Sequence, residues 1–229
     1  MKIILFLLTS VCWGVLTAQI DYSDYNELLK NNVSTQGKVN YKALKQKKEE
    51  LNAIVGQLNK YFSVHLSKNV KLAYWINVYN ANTLLLITDH YPLKSILDLD
   101  NGKTWDVKRI KIGMNTYSLN QIENEILRKE FKDARIHFAL NCAAASCPPL
   151  LNKIYDPVDI ESQLDQQTKL FLNSTVKSIA PNQIEISKLF EWYAGDFGDI
   201  ILFVNKYSDL KFSDKTTFIY SAYNWKLNE

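Results

Sequence analysis

The sequence is short of the residues that divide a chain into parts or give it a strong charge. Its 229 residues include seven glycines, five prolines and three cysteines, and no Gly/Ser-rich linker, charge block or internal repeat interrupts them. Lysine and arginine total 27 against 24 acidic residues, a net charge of +3 with no basic stripe for phosphate contacts. These absences exclude a disordered or collagen-like chain, and they exclude nucleic acid from the expected partners.

Several well-known sequence signatures are missing as well. The sequence contains no phosphate loop, no Rossmann glycine pattern, no HExxH and no GxSxG. Nucleotide binding and the serine α/β-hydrolase mechanism therefore lack support. We assign no cofactor and no metal site.

The first 19 residues are typical of a secretory signal peptide. Lys2 precedes an apolar run over residues 3–16, and the small and polar Thr17, Ala18 and Gln19 follow that run. The run is shorter than the roughly 20 residues that span a bilayer, and no later stretch approaches this length. We therefore expect a secreted or periplasmic protein with no permanent membrane span after signal removal. Its two remaining cysteines, Cys142 and Cys147, would then lie in an oxidising compartment.

Residues 20–229 are predicted to form a single α+β domain, because helical segments come first and short hairpins and further helices follow. The segment 69–90 is apolar nearly all round, so we expect a buried central helix packed on a mainly antiparallel sheet with hairpins. The other predicted helices cover residues 21–32, 43–60, 156–172 and 199–207, with one more starting at the capping box of Ser118 and Gln121. The predicted strands are the hairpins around residues 113–115 and 181–182 and the segments 135–141, 216–220 and 223–227.

The buried central helix carries polar residues on one stripe. Asn77 and Asn80 are three residues apart, and Tyr74 lies one turn before them. A buried amide without partners costs about 1–3 kcal/mol, so these side chains should meet other polar groups. In one interpretation they bond to the backbone of a neighbouring loop and only hold it. In the other they belong to a site, where Asn77 stabilises an oxyanion and Tyr74 and Asn80 contact substrate.

The segment RIHFALNCAAASCPPL, residues 135–150, places one histidine near both cysteines of the predicted domain. On an extended strand His137 and Cys142 would be about 17 Å apart, so a Cys/His pair requires the chain to fold back. The small residues between Cys142 and Cys147 permit such a bend. The alternatives are a nucleophilic thiolate with His137 as its base, a disulfide, a zinc site with only three ligands, and inert packing.

Charged residues in two other segments are candidate members of the same centre. Glu123 and Arg128 lie in LNQIENEILR, and Glu191 and Asp196 lie in FEWYAGDF. The simpler interpretation of Glu123 is a solvated helix carboxylate. In a site, Glu123 or Arg128 would orient the substrate or the base.

Taken in order, the motifs resemble the domain of unknown function 547 family over about residues 74–228. They comprise YWINVYNANTLLLITDHYPLKSI, LNQIENEILR, RIHFALNCAAASCPPL, ISKLFEWYAGDF and YNWKLN. The residues at the positions that characterise the family are Tyr74, Trp75, Asn77, Tyr79, Asn80, Glu123, Arg128, His137, Cys142, Cys147 and Pro148.

The family carries no assigned reaction, so this resemblance implies a domain type and leaves the chemistry open. A histidine commonly follows the glutamate of the IE segment in this family, whereas this chain has Asn124. If that histidine is a base or a ligand in relatives, this member is weakened or inactive. A more distant analogy connects the chain to papain-like and transglutaminase-like folds, in which a buried helix faces the catalytic histidine; fold analogy alone does not define a function.

Two hypotheses of different classes follow. In the first, His137, Cys142 or Cys147, Glu123 and Asn77 catalyse hydrolysis or acyl transfer, with Tyr74, Asn80 and Arg128 contacting the substrate. In the second, the protein is a non-catalytic binding or interaction module in which Cys142 and Cys147 form a structural disulfide. The expected partner in either case is a small molecule, a peptide or a glycan.

Overall fold

The computed structural model describes residues 20–60 and 66–229. The predicted signal peptide lies outside the described residues. The fold is a single domain of mixed helix and sheet, as predicted. Within the described ranges, no helix combines the length and the apolar character needed to cross a membrane.

The described residues form eight α-helices, four within residues 23–90 and four within residues 160–207. They are α1 (Ser23–Asn32), α2 (Tyr41–Gln46), α3 (Lys48–Leu58), α4 (Lys68–His90), α5 (Ile160–Thr175), α6 (Leu189–Trp192), α7 (Ala194–Phe197) and α8 (Ile200–Tyr207). A π-helix (Gln121–Phe131) and a short 3-10 helix (Ala134–Phe138) lie between α4 and α5. The described residues also form 3-10 turns over Ile96–Asp98, Asp100–Gly102 and Thr104–Asp106.

Helix α4 is the buried central helix that the sequence predicts. It begins after Ser67, whose hydroxyl accepts a hydrogen bond from the backbone N–H of Val70, and it ends at Tyr91, where the following proline disfavours helical backbone. Most of its side chains are buried. Its main neighbours are α2, α3 and the π-helix, so helices rather than a sheet surround it.

Within residues 20–60 and 66–229 the strands form two small sheets. Strands β1 (Ile110–Ile112) and β2 (Asn115–Tyr117) make the first predicted hairpin. Strands β3 (Lys177–Ala180) and β4 (Gln183–Ile186) make the second, antiparallel hairpin, and β5 (Thr217–Tyr220) pairs with β4 in parallel. The predicted strand over 223–227 contributes isolated bridges rather than a regular strand.

Two helix predictions differ in detail from the structure. The single helix predicted over 43–60 is divided into α2 and α3 at Lys47, and Asn40 caps α2 by accepting a hydrogen bond from the backbone N–H of Ala43. The helix predicted from Asp156 begins at Ile160 instead, because Asp156 accepts a hydrogen bond from the backbone N–H of Val158 and holds a turn there.

The strand predicted over 135–141 is wrong. The segment forms the 3-10 helix Ala134–Phe138 and then an irregular bend. Asp133 caps the turn through the backbone N–H of Arg135 at 2.9 Å. Asn80 then binds the carbonyl of Ala139 at 2.9 Å and the N–H of Asn141 at 2.9 Å, so this backbone is satisfied without a strand partner.

Buried apolar residues form two clusters that meet at this 3-10 helix. The main core surrounds α4 and includes Ile136. The second, which we call the phenylalanine cluster, contains buried Phe138, Phe171, Phe190 and Phe197 and draws on α5, α6 and α8. His137 lies between the residues that belong to these two clusters.

The segment 223–228 connects distant parts of the chain. Asn228 donates its backbone N–H to Ala143 and accepts a hydrogen bond from the backbone N–H of Val39 at 2.9 Å. Its side-chain oxygen also accepts from the hydroxyl of Tyr41 at 2.8 Å. These bonds hold Tyr223 and Trp225 beside the bend that carries the two cysteines.

Candidate functional site

A cavity of about 340 Å³ opens where the two clusters meet. Residues from α4, the π-helix, the 3-10 helix, α6 and the segment 223–228 line it. We call it the aromatic cavity; its lining is Tyr79, Trp105, Asn120, Glu123, Asn124, His137, Leu140, Cys142, Cys147, Pro148, Leu189, Trp192, Tyr193, Tyr223 and Trp225. The chain therefore brings His137, Glu123 and both cysteines to one cavity, as the first hypothesis requires.

Aromatic rings make one wall of this cavity. Trp225 lies at the centre of the wall, with ring centroids 5.9 Å from Trp105, 5.8 Å from Trp192 and 4.6 Å from Tyr223. The planes of Trp105 and Trp225 meet at 66°, so the rings present faces in different directions. Trp192 is 42% exposed, which is unusual for a residue with so much apolar area.

His137 is buried and held by two neighbours. Its Nε2 atom lies 2.7 Å from Oδ2 of Asp196, and its ring stacks on Tyr193 with centroids 3.9 Å apart. Burial lowers the pKa of His137 below the ordinary value of 6.5, against the raising effects of Glu123 and Asp196. The imidazole is therefore neutral at neutral pH, and because a carboxylate only accepts hydrogen bonds, Nε2 carries the proton and Nδ1 is the basic nitrogen.

Asp196 is in turn fixed by Arg128. The guanidinium donates from Nε at 2.6 Å and from Nη2 at 3.0 Å, a bidentate ion pair. This pair lowers the pKa of Asp196 and raises that of Arg128. Arg128 also lies over the ring of Tyr193 and donates to Asn124 at 2.5 Å. Arg128 lies outside the cavity lining and positions Asp196, which agrees with the predicted alternative in which it orients the base. The other predicted role, contact with substrate, has no geometric support.

Glu123 lies on the π-helix and is 8% exposed. The hydroxyl of Tyr79 donates to its Oε2 atom at 3.3 Å. Burial, followed by the charge of Glu123, raises the pKa values of Tyr79 and Tyr193 well above the usual range, so both phenols stay neutral donors. The predicted alternative, a solvated helix carboxylate, is wrong for Glu123.

The two cysteines are joined in a disulfide. Their Cα atoms are 6.0 Å apart and the S–S distance is 2.00 Å. The hydroxyl of Tyr223 lies 3.2 Å from Sγ of Cys142 and 3.4 Å from Sγ of Cys147. In this oxidised form neither sulfur is a thiolate, so the predicted nucleophilic attack is unavailable to it. The bend predicted between Cys142 and Cys147 is present.

The amides of α4 hold loops instead of lining the cavity. Asn77 donates to the carbonyl of Tyr155 at 2.8 Å and accepts from the N–H of the same residue at 2.9 Å. Asn80 binds Ala139 and Asn141 as described above, and the hydroxyl of Tyr74 donates to the carbonyl of Leu58 at 3.2 Å. In the described part of the chain, Asn77, Asn80 and Tyr74 all lie outside the cavity lining. Their predicted oxyanion and substrate roles therefore have no geometric support.

Sequence reasoning missed most of the aromatic wall. Trp105, Trp192 and Trp225 come from three separate irregular or short helical segments, and nothing local distinguishes a wall tryptophan from a core one. Asp196 was noticed in FEWYAGDF but not assigned to His137. No cluster of three or more His, Cys, Asp or Glu side chains suited to a metal ion occurs in the described ranges.

Fold and site together define the protein class: a mixed helix-and-sheet domain with an aromatic cavity, a His–Asp pair and a separate buried carboxylate. A family model described as "Protein of unknown function, DUF547" matches residues 63–172. This match supports assignment of residues 63–172 to the family that the ordered motifs predicted. The match includes Glu123, His137 and the disulfide, whereas Trp192, Tyr193, Asp196 and Trp225 lie beyond it. Comparisons with curated proteins and with solved structures gave no match.

Proposed function

We propose that this protein is an exported binding domain that holds a small organic ligand in the aromatic cavity. The observation that carries the proposal is the composition of that cavity: aromatic walls over a few converging polar groups, beside cysteines that are already joined. Such a mixture of apolar surface and a small number of placed polar groups is typical of small-molecule sites. The volume of about 340 Å³ lies at the small end of the range for such sites.

The export part of the proposal is supported by the sequence and by the sulfur chemistry. The first 19 residues are typical of a signal peptide. A disulfide between Cys142 and Cys147 persists in an oxidising compartment and is rare in the cytosol. Intact mass and N-terminal sequencing of the protein recovered from its native host test this part. A chain that keeps residues 1–19, or that carries two free thiols, would contradict it.

The binding part is tested by titrating the purified oxidised protein with a panel of glycosides, aromatic acids and alkylamines. Intrinsic tryptophan fluorescence reports occupancy, since three tryptophans line the cavity. We expect at least one compound to change the emission saturably. Trp192→Ala should weaken its binding about tenfold, because loss of a stacked ring costs roughly 1–2 kcal/mol.

Leu202→Ala is the matched control. Leu202 is also a large apolar side chain, 68% exposed, and it lies outside the cavity lining. Its substitution should leave the affinity unchanged. Equal effects of the two substitutions, or a panel in which nothing binds, would contradict the proposed site.

A hydrolase is the second candidate, favoured by the 2.7 Å contact between His137 and Asp196. An aspartate that holds the Nε2 proton leaves Nδ1 as a base, the arrangement that general-base catalysis uses. The oxidised protein should then hydrolyse an ester, amide or glycoside from a chromogenic panel, and His137→Gln should abolish that activity. Activity that appears only after reduction, and that iodoacetamide removes, would instead support the thiolate version.

A further inference from the structure

We infer that the ligand of the aromatic cavity is an organic cation of the alkylammonium class, recognised by Glu123 together with the tryptophan faces. This inference rests on the proposed binding function and adds the chemical class of the ligand. Three observations on the described residues carry it: Glu123 forms no ion pair, the cavity lining contains no lysine or arginine, and the rings of the wall lie in different planes.

The carboxylate of Glu123 has no ion-pair partner in the part of the chain that the structure describes. In this region Arg128 forms its ion pair with Asp196, and the neutral imidazole of His137 donates its hydrogen bond to the same carboxylate. Glu123 receives a hydrogen bond from the neutral hydroxyl of Tyr79. A buried carboxylate without a positive partner is unfavourable, so a bound cation would complete the site.

The rest of the cavity lining supplies no positive charge. Lysine and arginine are absent from the lining residues that the structure describes, and Glu123 is the one acidic residue among them. His137 is held neutral by its burial, and its hydrogen bond goes to Asp196, whose charge Arg128 already balances. The cavity is therefore electronegative, which disfavours an anionic ligand and favours a cation.

The aromatic wall presents the surfaces that a cation prefers. Trp105 and Trp225 meet at 66°, and Trp192 and Tyr223 meet at 53° with centroids 4.8 Å apart. Rings that line one cavity in different planes can contact a rounded group on more than one side, whereas a single flat ring suits a planar ligand. Aromatic faces attract ammonium groups through their quadrupole, tryptophan most strongly, and methylated ammonium ions are bound in cages of this kind.

The alkylammonium group can belong to a free small molecule or to a lipid headgroup. The enclosed position of Glu123, only 8% exposed, favours a free molecule that enters the cavity completely. Phosphatidylcholine vesicles form a separate arm of the test. The wild-type protein should not sediment with them, and sedimentation that depends on Glu123 would assign the same chemistry to a lipid source.

The test compares choline with its uncharged isostere, 3,3-dimethylbutan-1-ol, by calorimetry and tryptophan fluorescence. The wild-type protein should bind choline at least about tenfold more tightly, because the two ligands have the same shape and differ in charge. Glu123→Gln should remove this preference while retaining the hydrogen bond from Tyr79. The control is Glu125→Gln, which removes an exposed negative charge from the same π-helix and should leave the preference for choline unchanged.

The outcomes separate this inference from the proposed function. Equal affinity for choline and the isostere, or an unchanged preference in a folded Glu123→Gln protein, would overturn the cation inference. A neutral glycoside that binds with dependence on Trp192 while choline does not would overturn the inference and leave the binding proposal in place. Circular dichroism of each variant establishes that it is folded, and Glu123→Asp, which keeps the charge, should retain part of the preference.

Discussion

The main core and the phenylalanine cluster are both closely packed and buried, but different types of side chain fill them. The main core is largely aliphatic and contains buried amides, whereas rings fill the other cluster: Phe138 alone lies within 6.1 Å, centroid to centroid, of four other phenylalanines. The buried amides of the main core bond to backbone groups. The polar groups of the aromatic cavity, which lies where the clusters meet, bond chiefly to other side chains.

This difference distinguishes buried polar side chains that hold the fold together from those that are open to a ligand. Asn77 is 1% exposed and Asn80 is 3% exposed, so by burial alone they are as good candidates for a functional site as His137, which is 4% exposed. Their hydrogen-bond partners distinguish them from site residues. Each Asn side chain donates one hydrogen bond to a loop backbone and accepts one from it, so few of its donor and acceptor positions remain for a ligand. Glu123 and His137 lie in a cavity and retain such capacity.

The largest expected effect comes from Phe138→Ala, which tests whether the phenylalanine cluster depends on one ring. Phe138 is fully buried, so its truncation should lower the free energy of unfolding by about 3–5 kcal/mol. Urea denaturation followed by circular dichroism measures the loss. Leu170→Ala, at a residue 46% exposed, is the control and should cost less than about 1 kcal/mol. A similarly small loss for Phe138→Ala would show that the cluster repacks without this ring.

Asn77→Ala should have the next largest effect and should act on stability alone. It leaves the buried carbonyl and N–H of Tyr155 unpaired, at a cost of about 2–3 kcal/mol. Ligand binding in the aromatic cavity should be unchanged. Asn82→Ala, on the same helix but only partly buried, should cost less. Loss of binding without loss of stability in Asn77→Ala would return Asn77 to the site.

Removing the disulfide tests how much it stabilises the bend between Cys142 and Cys147, which lies at the aromatic cavity between the two clusters. Replacing Cys142 and Cys147 together with serine should lower the free energy of unfolding by roughly 2 kcal/mol, since the closed loop is short. Wild-type protein in reductant should show the same loss, and the double variant should not respond to reductant. If reduction leaves the wild-type protein equally stable, the disulfide does not brace the bend.

The smallest effect concerns the pH dependence of His137. Because burial lowers its pKa below 6.5, the unfolded state binds a proton first as the pH falls. The stabilisation is complete above about pH 6.5 and is lost as the pH falls toward the folded pKa. His137→Gln should therefore flatten this decline, by less than about 1.4 kcal/mol per pH unit for one proton.

Urea titrations of both proteins at about pH 7.5 and about pH 5.5 measure this difference. Asp196, whose pKa lies below 3.8, loses its contribution only at lower pH and does not overlap this window. Identical pH profiles for wild type and His137→Gln would show that the folded and unfolded proteins bind the His137 proton equally.

The sequence predicted the parts of the fold that local patterns control. The boundaries of α4, both hairpins and the reciprocal bonds between Ser118 and Gln121 follow from periodicity, turn residues and capping chemistry. The segment 135–141 escaped prediction because its conformation depends on Asp133 and on Asn80, which is about sixty residues distant along the chain. Short apolar runs do not reveal such partners.

The candidate site, like the fold, contains residues that local sequence predicts and residues whose role depends on distant partners. His137, Glu123 and the cysteines were predicted from their unusual settings in the sequence, and the structure brings them to one cavity. Trp192 and Trp225 were not predicted as site residues, because an aromatic residue that lines a cavity and one that lies in a hydrophobic core have the same local sequence pattern. For Asn77 and Asn80 the sequence left two interpretations open, because it predicted their burial but not their partners. The structure agrees with the interpretation in which they hold loops.

The bonds of Asn228 have a consequence for the order in which the aromatic cavity can form. They anchor residues 223–228, which contribute Tyr223 and Trp225 to the cavity and leave the ribosome after every other lining residue. The aromatic cavity is therefore complete only when residues 223–228 are docked, even if α4 and its neighbours have already formed. A chain that stopped before residue 223 would lack the rings of Tyr223 and Trp225 in the cavity lining.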